Sequence, residues 1–139
     1  MSKDLYSLKD FKEVKELYLE EKLSEEEIAE GFEPMEEFFK VCITKHAWER
    51  MNCELNRNCD YLWVESLMIS KANEILSVPM NEDFVLLSSD SKLAVVGILS
   101  RVDGQLAIIL KTVIRKVFID KNGNEIEKKV WVREGSNVY

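Results

Sequence analysis

The sequence predicts an α+β fold in which N-terminal helices pack on one face of a four-stranded antiparallel meander. Three observations predict it. Apolar residues before Leu76 recur mostly at helical spacing, while from Phe84 onward the texture turns β-branched and strand-like. Asp103-Gly104 and Asn122-Gly123 are the two-residue signals that close tight hairpins. At 139 residues the chain fits one domain, with residues 1–40 as an acidic helical extension and residues 41–139 as the helix-plus-meander core.

Leu8, Phe11, Val14, Leu17 and Tyr18 fall at helical intervals, so residues 8–22 are expected to form an amphipathic helix with Ser7 as its N-cap. Ser24-Glu25-Glu26-Glu27 fits a capping box that opens a short second helix stopping at Gly31. Pro34 opens a third, carrying Met35, Phe38 and Phe39. Val41-Cys42-Ile43 leans toward β, and Thr44 then caps a helix to about Leu55. Asp60 caps the next helix, whose many apolar positions predict cover on much of its circumference, and Ser77-Val78-Pro79 ends it.

Strands are expected over residues 84–88, 92–100, 105–118 and 125–133. If residues 102 and 105 flank the Asp103-Gly104 turn, Leu99 faces Ile108, Gly97 faces Leu110, Val95 faces Thr112 and Leu93 faces Ile114. Ile98 then meets Ile109, Val96 meets Lys111 and Ala94 meets Val113 on the other face. The first face is aliphatic and should receive the helices. The second carries Lys111 and Arg115.

A composition 46% hydrophobic and 32% charged excludes disorder and a membrane-embedded body. No apolar run reaches the roughly 20 residues of a spanning helix. Met1-Ser2-Lys3-Asp4 lacks the features of a signal peptide, so a cytoplasmic protein is expected. Cys42, Cys53 and Cys59 form no Cys-x-x-Cys pair and share the chain with a single histidine. The expectation is buried reduced thiols and no metal; a nucleophilic Cys53, seven residues after His46, is the alternative. Charge is lopsided: residues 1–40 hold 13 acids and 6 bases, residues 41–139 hold 13 of each. An acidic N-terminal part beside a neutral body leaves room for an RNA substrate.

One motif could carry chemistry: Thr44-Lys45-His46-Ala47-Trp48-Glu49-Arg50-Met51. His46 and Arg50 are four apart and share a helix face. Histidine moves protons near neutrality, and arginine offers a fork of donors to a phosphorane-like transition state, so the pair suits phosphodiester cleavage with no metal and no cofactor.

The order of this motif, a β-leaning tripeptide before it, an apolar helix and a β-meander after it, resembles the RelE-like and barnase-like ribonuclease toxin superfamily over residues 41–118. The resemblance implies His46 as acid/base, Arg50 as phosphate binder and Thr112 as a polar site residue, with Lys111, Arg101 and Arg115 as substrate-binding cations. It implies RNA as substrate and an antitoxin-like protein partner. Residues 52–60 depart from the family's tight basic turn, and in a regular strand Lys111 and Thr112 would point to opposite faces. The acidic extension is expected to fold over Lys111 and Arg115 and compete with substrate phosphate.

Two other classes compete. Residues 15–30 resemble the opening of a helix-turn-helix DNA-binding regulator, but Glu33, Glu36 and Glu37 stand where a basic reading helix belongs. A non-enzymatic protein-interaction module would use Trp48, Trp63 or Trp131 as an aromatic anchor in a charged rim. Such a module could be an inhibitor, an immunity-like protein or a phage-encoded antagonist of host machinery. Edge strands, expected at residues 84–88 and 125–133, could pair two copies into a dimer.

Overall fold

In the computed structural model, which describes residues 6–52, 59–90, 92–115, 118–119 and 125–126, Leu17 and Leu19 are buried while Tyr18 and Glu20 are exposed. That two-residue period is a strand's. Residues 8–22 are therefore not the expected helix: one 3-10 turn, Leu8–Asp10, leads into strand β1, Glu13–Glu20. The capping box holds as expected, with Ser24 and Glu27 exchanging hydrogen bonds at 3.0 and 3.1 Å to open α1, Glu25–Ala29. Gly31, at φ +88°, turns the chain out of it. The helix expected after Pro34 is instead strand β2, Glu36–Ile43, paired antiparallel to β1 from Glu13↔Ile43 to Glu20↔Glu36.

Val41, Cys42 and Ile43 are all at most 1% exposed, so this stretch is covered on both faces, as a central strand is. Thr44 caps α2, Lys45–Met51, and Asp60 caps α3, Tyr61–Ser70, through the Leu62 amide. A short α4, Ala72–Leu76, follows. Val64, Leu67, Met68, Ala72 and Ile75 bury against one face of the sheet. Leu62, Trp63 and Ile69 remain 63%, 47% and 44% exposed, so α3 is covered on one side rather than on most of its circumference.

Strands β3 (Asp83–Leu87), β4 (Leu93–Val102) and β5 (Gln105–Arg115) form the expected meander. Asp103 and Gly104 sit at φ +49° and +76°, the pair of positive values that a type I′ hairpin turn demands. The sheet has five strands in the order β1-β2-β5-β4-β3, and β2 runs parallel to β5, with Val41 beside Ile108 and Ile43 beside Leu110. The expectation of a four-stranded, wholly antiparallel sheet is corrected on both counts. The fold remains α+β. Two-residue strands β6 (Phe118–Ile119) and β7 (Glu125–Ile126) pair separately. The expected turn at residues 121–124 and the strand beyond residue 126 lie outside the described residues, as does Trp131.

Two cores result. The larger lies between the helices and the sheet and includes Leu19, Val41, Ile43, Met68, Ile75, Ile108 and Leu110. Each such side chain contributes about 1.5–3 kcal/mol on leaving water. The smaller lies on the opposite, outer face, where Leu8 and Phe11 cover Cys42, Val102, Ala107 and Ile109. This N-terminal strap is pinned by the Asp103 carboxylate, which accepts from the Leu8 amide at 2.8 Å and the Ser7 hydroxyl at 3.2 Å.

Candidate functional site

Helix α2 begins where β2 ends and is hung on β5 by one side chain. The Thr44 hydroxyl accepts from the Ala47 amide at 3.1 Å and donates to the Leu110 carbonyl at 2.9 Å. Ala47 and Met51 point into the large core, which turns His46 outward to an exposed position and leaves Arg50 partly buried. Neither the His46 imidazole nor the Arg50 guanidinium hydrogen-bonds or ion-pairs with another described residue. Trp48 is half-buried, its indole donating to Glu13 at 3.1 Å beneath the Lys12 ammonium, so this aromatic fastens β1 to α2.

The β4–β5 register follows the expected pairing from the turn to Gly97↔Leu110 and then slips by one residue: Val96 pairs with Thr112, Val95 with Val113 and Leu93 with Arg115. Lys111 is the extra residue of a β-bulge. The bulge lets Lys111 and Thr112 share a neighbourhood that a regular strand would deny them. The Lys111 ammonium nevertheless binds the Asp83 carboxylate at 3.0 Å, and Thr112 is only 4% exposed. Arg115 lies over the Trp63 ring, 4.5 Å from its centroid. Arg101 stands at the hairpin end of β4, across from Leu106. At about 3.4 Å per residue, the five residues from Leu106 to Lys111 place Arg101 roughly 17 Å from the bulge. The structure thus joins α2 to the bulge through Thr44 but draws Lys111, Arg115 and Arg101 to three different places.

A groove of about 500 Å³ opens at the hairpin end of the sheet, lined by Glu16, Glu37, Phe38, Lys40, Arg101 and Leu106 among others. Phe38 stands on its lip with 73% of its surface exposed, and its ring packs tilted against Tyr18 at 4.8 Å between centroids. Lys40 hydrogen-bonds Glu16 across β1 and β2, holding that carboxyl below its ordinary value. Reduced solvation, then the carboxylates of Glu36 and Glu20, pushes the Tyr18 hydroxyl up to about 12. Helical spacing hides these residues, because it places both Tyr18 and Phe38 in helices where the chain forms strands. The signal that finds them is alternation: Leu17 and Leu19 inward, Glu16, Tyr18 and Glu20 outward.

Cys42 and Cys59 are buried free thiols, each pushed up to about 11 by burial, which suits packing and opposes nucleophilic use. Cys53 lies outside the described residues. Among the described residues no cluster of three or more metal-binding side chains occurs, and no helix is long and apolar enough to cross a membrane. The segment resembling a helix-turn-helix opening is strand β1 followed by the five-residue α1. No family model matches this chain, and neither a curated protein nor a solved structure does.

Proposed function

We propose that the chain is a protein-interaction module with no catalytic chemistry of its own, engaging its partner through the groove end of the sheet. One observation carries this reading: a phenylalanine 73% exposed, braced by a tyrosine, on the lip of a groove of about 500 Å³ with charged walls. Exposed, rigid aromatic side chains inside a polar rim are the usual anchors of protein interfaces. The metal-independent ribonuclease reading asks instead that His46, Arg50 and a sheet cation converge on one phosphate. It draws on the contact between α2 and the bulge, yet Asp83 engages Lys111 and Trp63 engages Arg115.

The two readings part in a simple assay. Wild-type protein and His46→Ala are incubated with total RNA in excess EDTA. No scission by either is expected, and cleavage that disappears with His46 would overturn the proposal. In parallel, affinity capture is run with wild type and with the Tyr18→Ala/Phe38→Ala double variant. A protein retained by the first and lost by the second is the expected result.

A further inference from the structure

Strand β1 ends the sheet, and no other described strand pairs with its outer side. The Glu21 amide donates to the Met35 carbonyl in register with the β1–β2 pairs. Hydrogen-bonded and non-bonded positions alternate along an antiparallel pair. Residues 13, 15, 17 and 19 therefore bond to β2, and Val14, Glu16, Tyr18 and Glu20 turn their amides and carbonyls to the open edge. The same four project their side chains onto the outer face, where Tyr18 meets Phe38. The stretch of chain that carries β1 and α1 is also acidic. Residues 13–37 hold 11 acids and 2 bases, a balance of −9 in a chain of −7, so the remainder carries +2.

We propose that the open edge of β1 captures an extended basic segment of another protein by strand addition, with the Tyr18–Phe38 pair as apolar anchor and the acidic arm as its electrostatic complement. Backbone pairing supplies four residues' worth of ladder bonds, and alternate side chains of the added strand lie over Glu16, Tyr18 and Glu20. A second copy of this chain is the poorer occupant, because edge-to-edge pairing would bring two arms of −9 together. The inference rests on the interaction reading and specifies the partner's chemistry.

The probes are three labelled peptides of about nine residues, close to the length of a long strand. One alternates Lys or Arg with Val, one replaces the bases with Glu, and one is the basic peptide N-methylated at every residue, so that neither of its edges can pair. Anisotropy should show saturable binding of the basic peptide alone. Its affinity should fall at least about tenfold between about 0.05 and about 0.5 M NaCl. Glu16→Gln/Glu20→Gln and Tyr18→Ala should each weaken it about tenfold while leaving the circular dichroism unchanged. Amide exchange at residues 14, 16, 18 and 20 should slow on binding, while the amides already bonded to β2 change little. Binding that tolerates N-methylation, or that leaves those four amides unprotected, overturns strand addition. Absence of peptide binding, or dimerisation through β1 in its place, overturns the basic partner. If capture by wild type still depends on Tyr18 and Phe38 under that outcome, the interaction module stands without this inference.

Discussion

Replacing Gly97 with alanine tests the packing beside the bulge. A Cβ on Gly97 would lie 2.7 Å from the Phe84 Cζ, 3.2 Å from its Cε2 and 3.1 Å from the Ile109 carbonyl oxygen. The ring that would have to give way is itself in the large core, 8% exposed, so it has no open space to swing into. Overpacking of this kind costs about 1–3 kcal/mol, and the reduced freedom of the unfolded chain returns about 0.4–1 kcal/mol. The net expectation is a loss of about 1–2 kcal/mol. For a chain of 139 residues this lowers Tm by about 3–7 °C. Urea unfolding followed by tryptophan fluorescence measures it directly. Phe84→Leu removes the atom in closest conflict and should cost about 1–2 kcal/mol alone. The double variant should then be more stable than the sum of the singles by at least about 1 kcal/mol. Strict additivity, or a Gly97→Ala protein as stable as wild type, would refute the reasoning.

Thr44→Ala removes both the cap of α2 and its bond to the Leu110 carbonyl, so a loss of about 2–3 kcal/mol is expected from the urea midpoint. Thr44→Ser should keep most of that stability, and equal damage by both would assign the effect to the methyl group. Burial raises the Cys42 and Cys59 thiols from 9.0 to about 11, so the folded state holds protons that the unfolded state has released. The contribution of the two thiols to stability should therefore be flat below about pH 8.5 and fall through the window from about pH 9 to about pH 11, by at most about 2–3 kcal/mol per thiol. Burial also raises the Tyr61 hydroxyl, which adds to the same slope above about pH 10. Unfolding of Cys42→Ala across that range should show a shallower fall, and an unchanged slope would remove the thiol from the account.

The second half of the fold was legible because its interactions are local. The Asp103-Gly104 turn fixes the register of β4 and β5 from a few adjacent residues, and pairing holds from the turn to Gly97↔Leu110. It slips where Phe84, from another strand, occupies the space above Gly97, a contact no local pattern encodes. The first half misled for a related reason. β1 buries only Leu17 and Leu19, and its three glutamates and one lysine favour helices when nothing else decides. Its partner β2 lies beyond the acidic α1 loop, and β2 in turn pairs with a strand near the other end of the chain. Tertiary pairing therefore overrode propensity. Among the expected site residues, helical spacing foresaw that His46 and Arg50 share α2. It could not foresee that Asp83 and Trp63 would engage Lys111 and Arg115, because those meetings depend on the order of strands.

The parallel seam between β2 and β5 also dictates an order of assembly. Lys40 and Ala107 are 67 positions apart, so closing that contact costs about 4 kcal/mol of chain entropy beyond the fixed term, against almost nothing for the β4–β5 hairpin. During synthesis the β1–β2 hairpin leaves the ribosome long before β5 exists, with Val41, Cys42 and Ile43 presenting an unpaired apolar edge. The acids around it set like charge between any two such edges. Among the strand pairings of this sheet the seam closes the widest gap in sequence, which makes it the pairing that chain entropy opposes most.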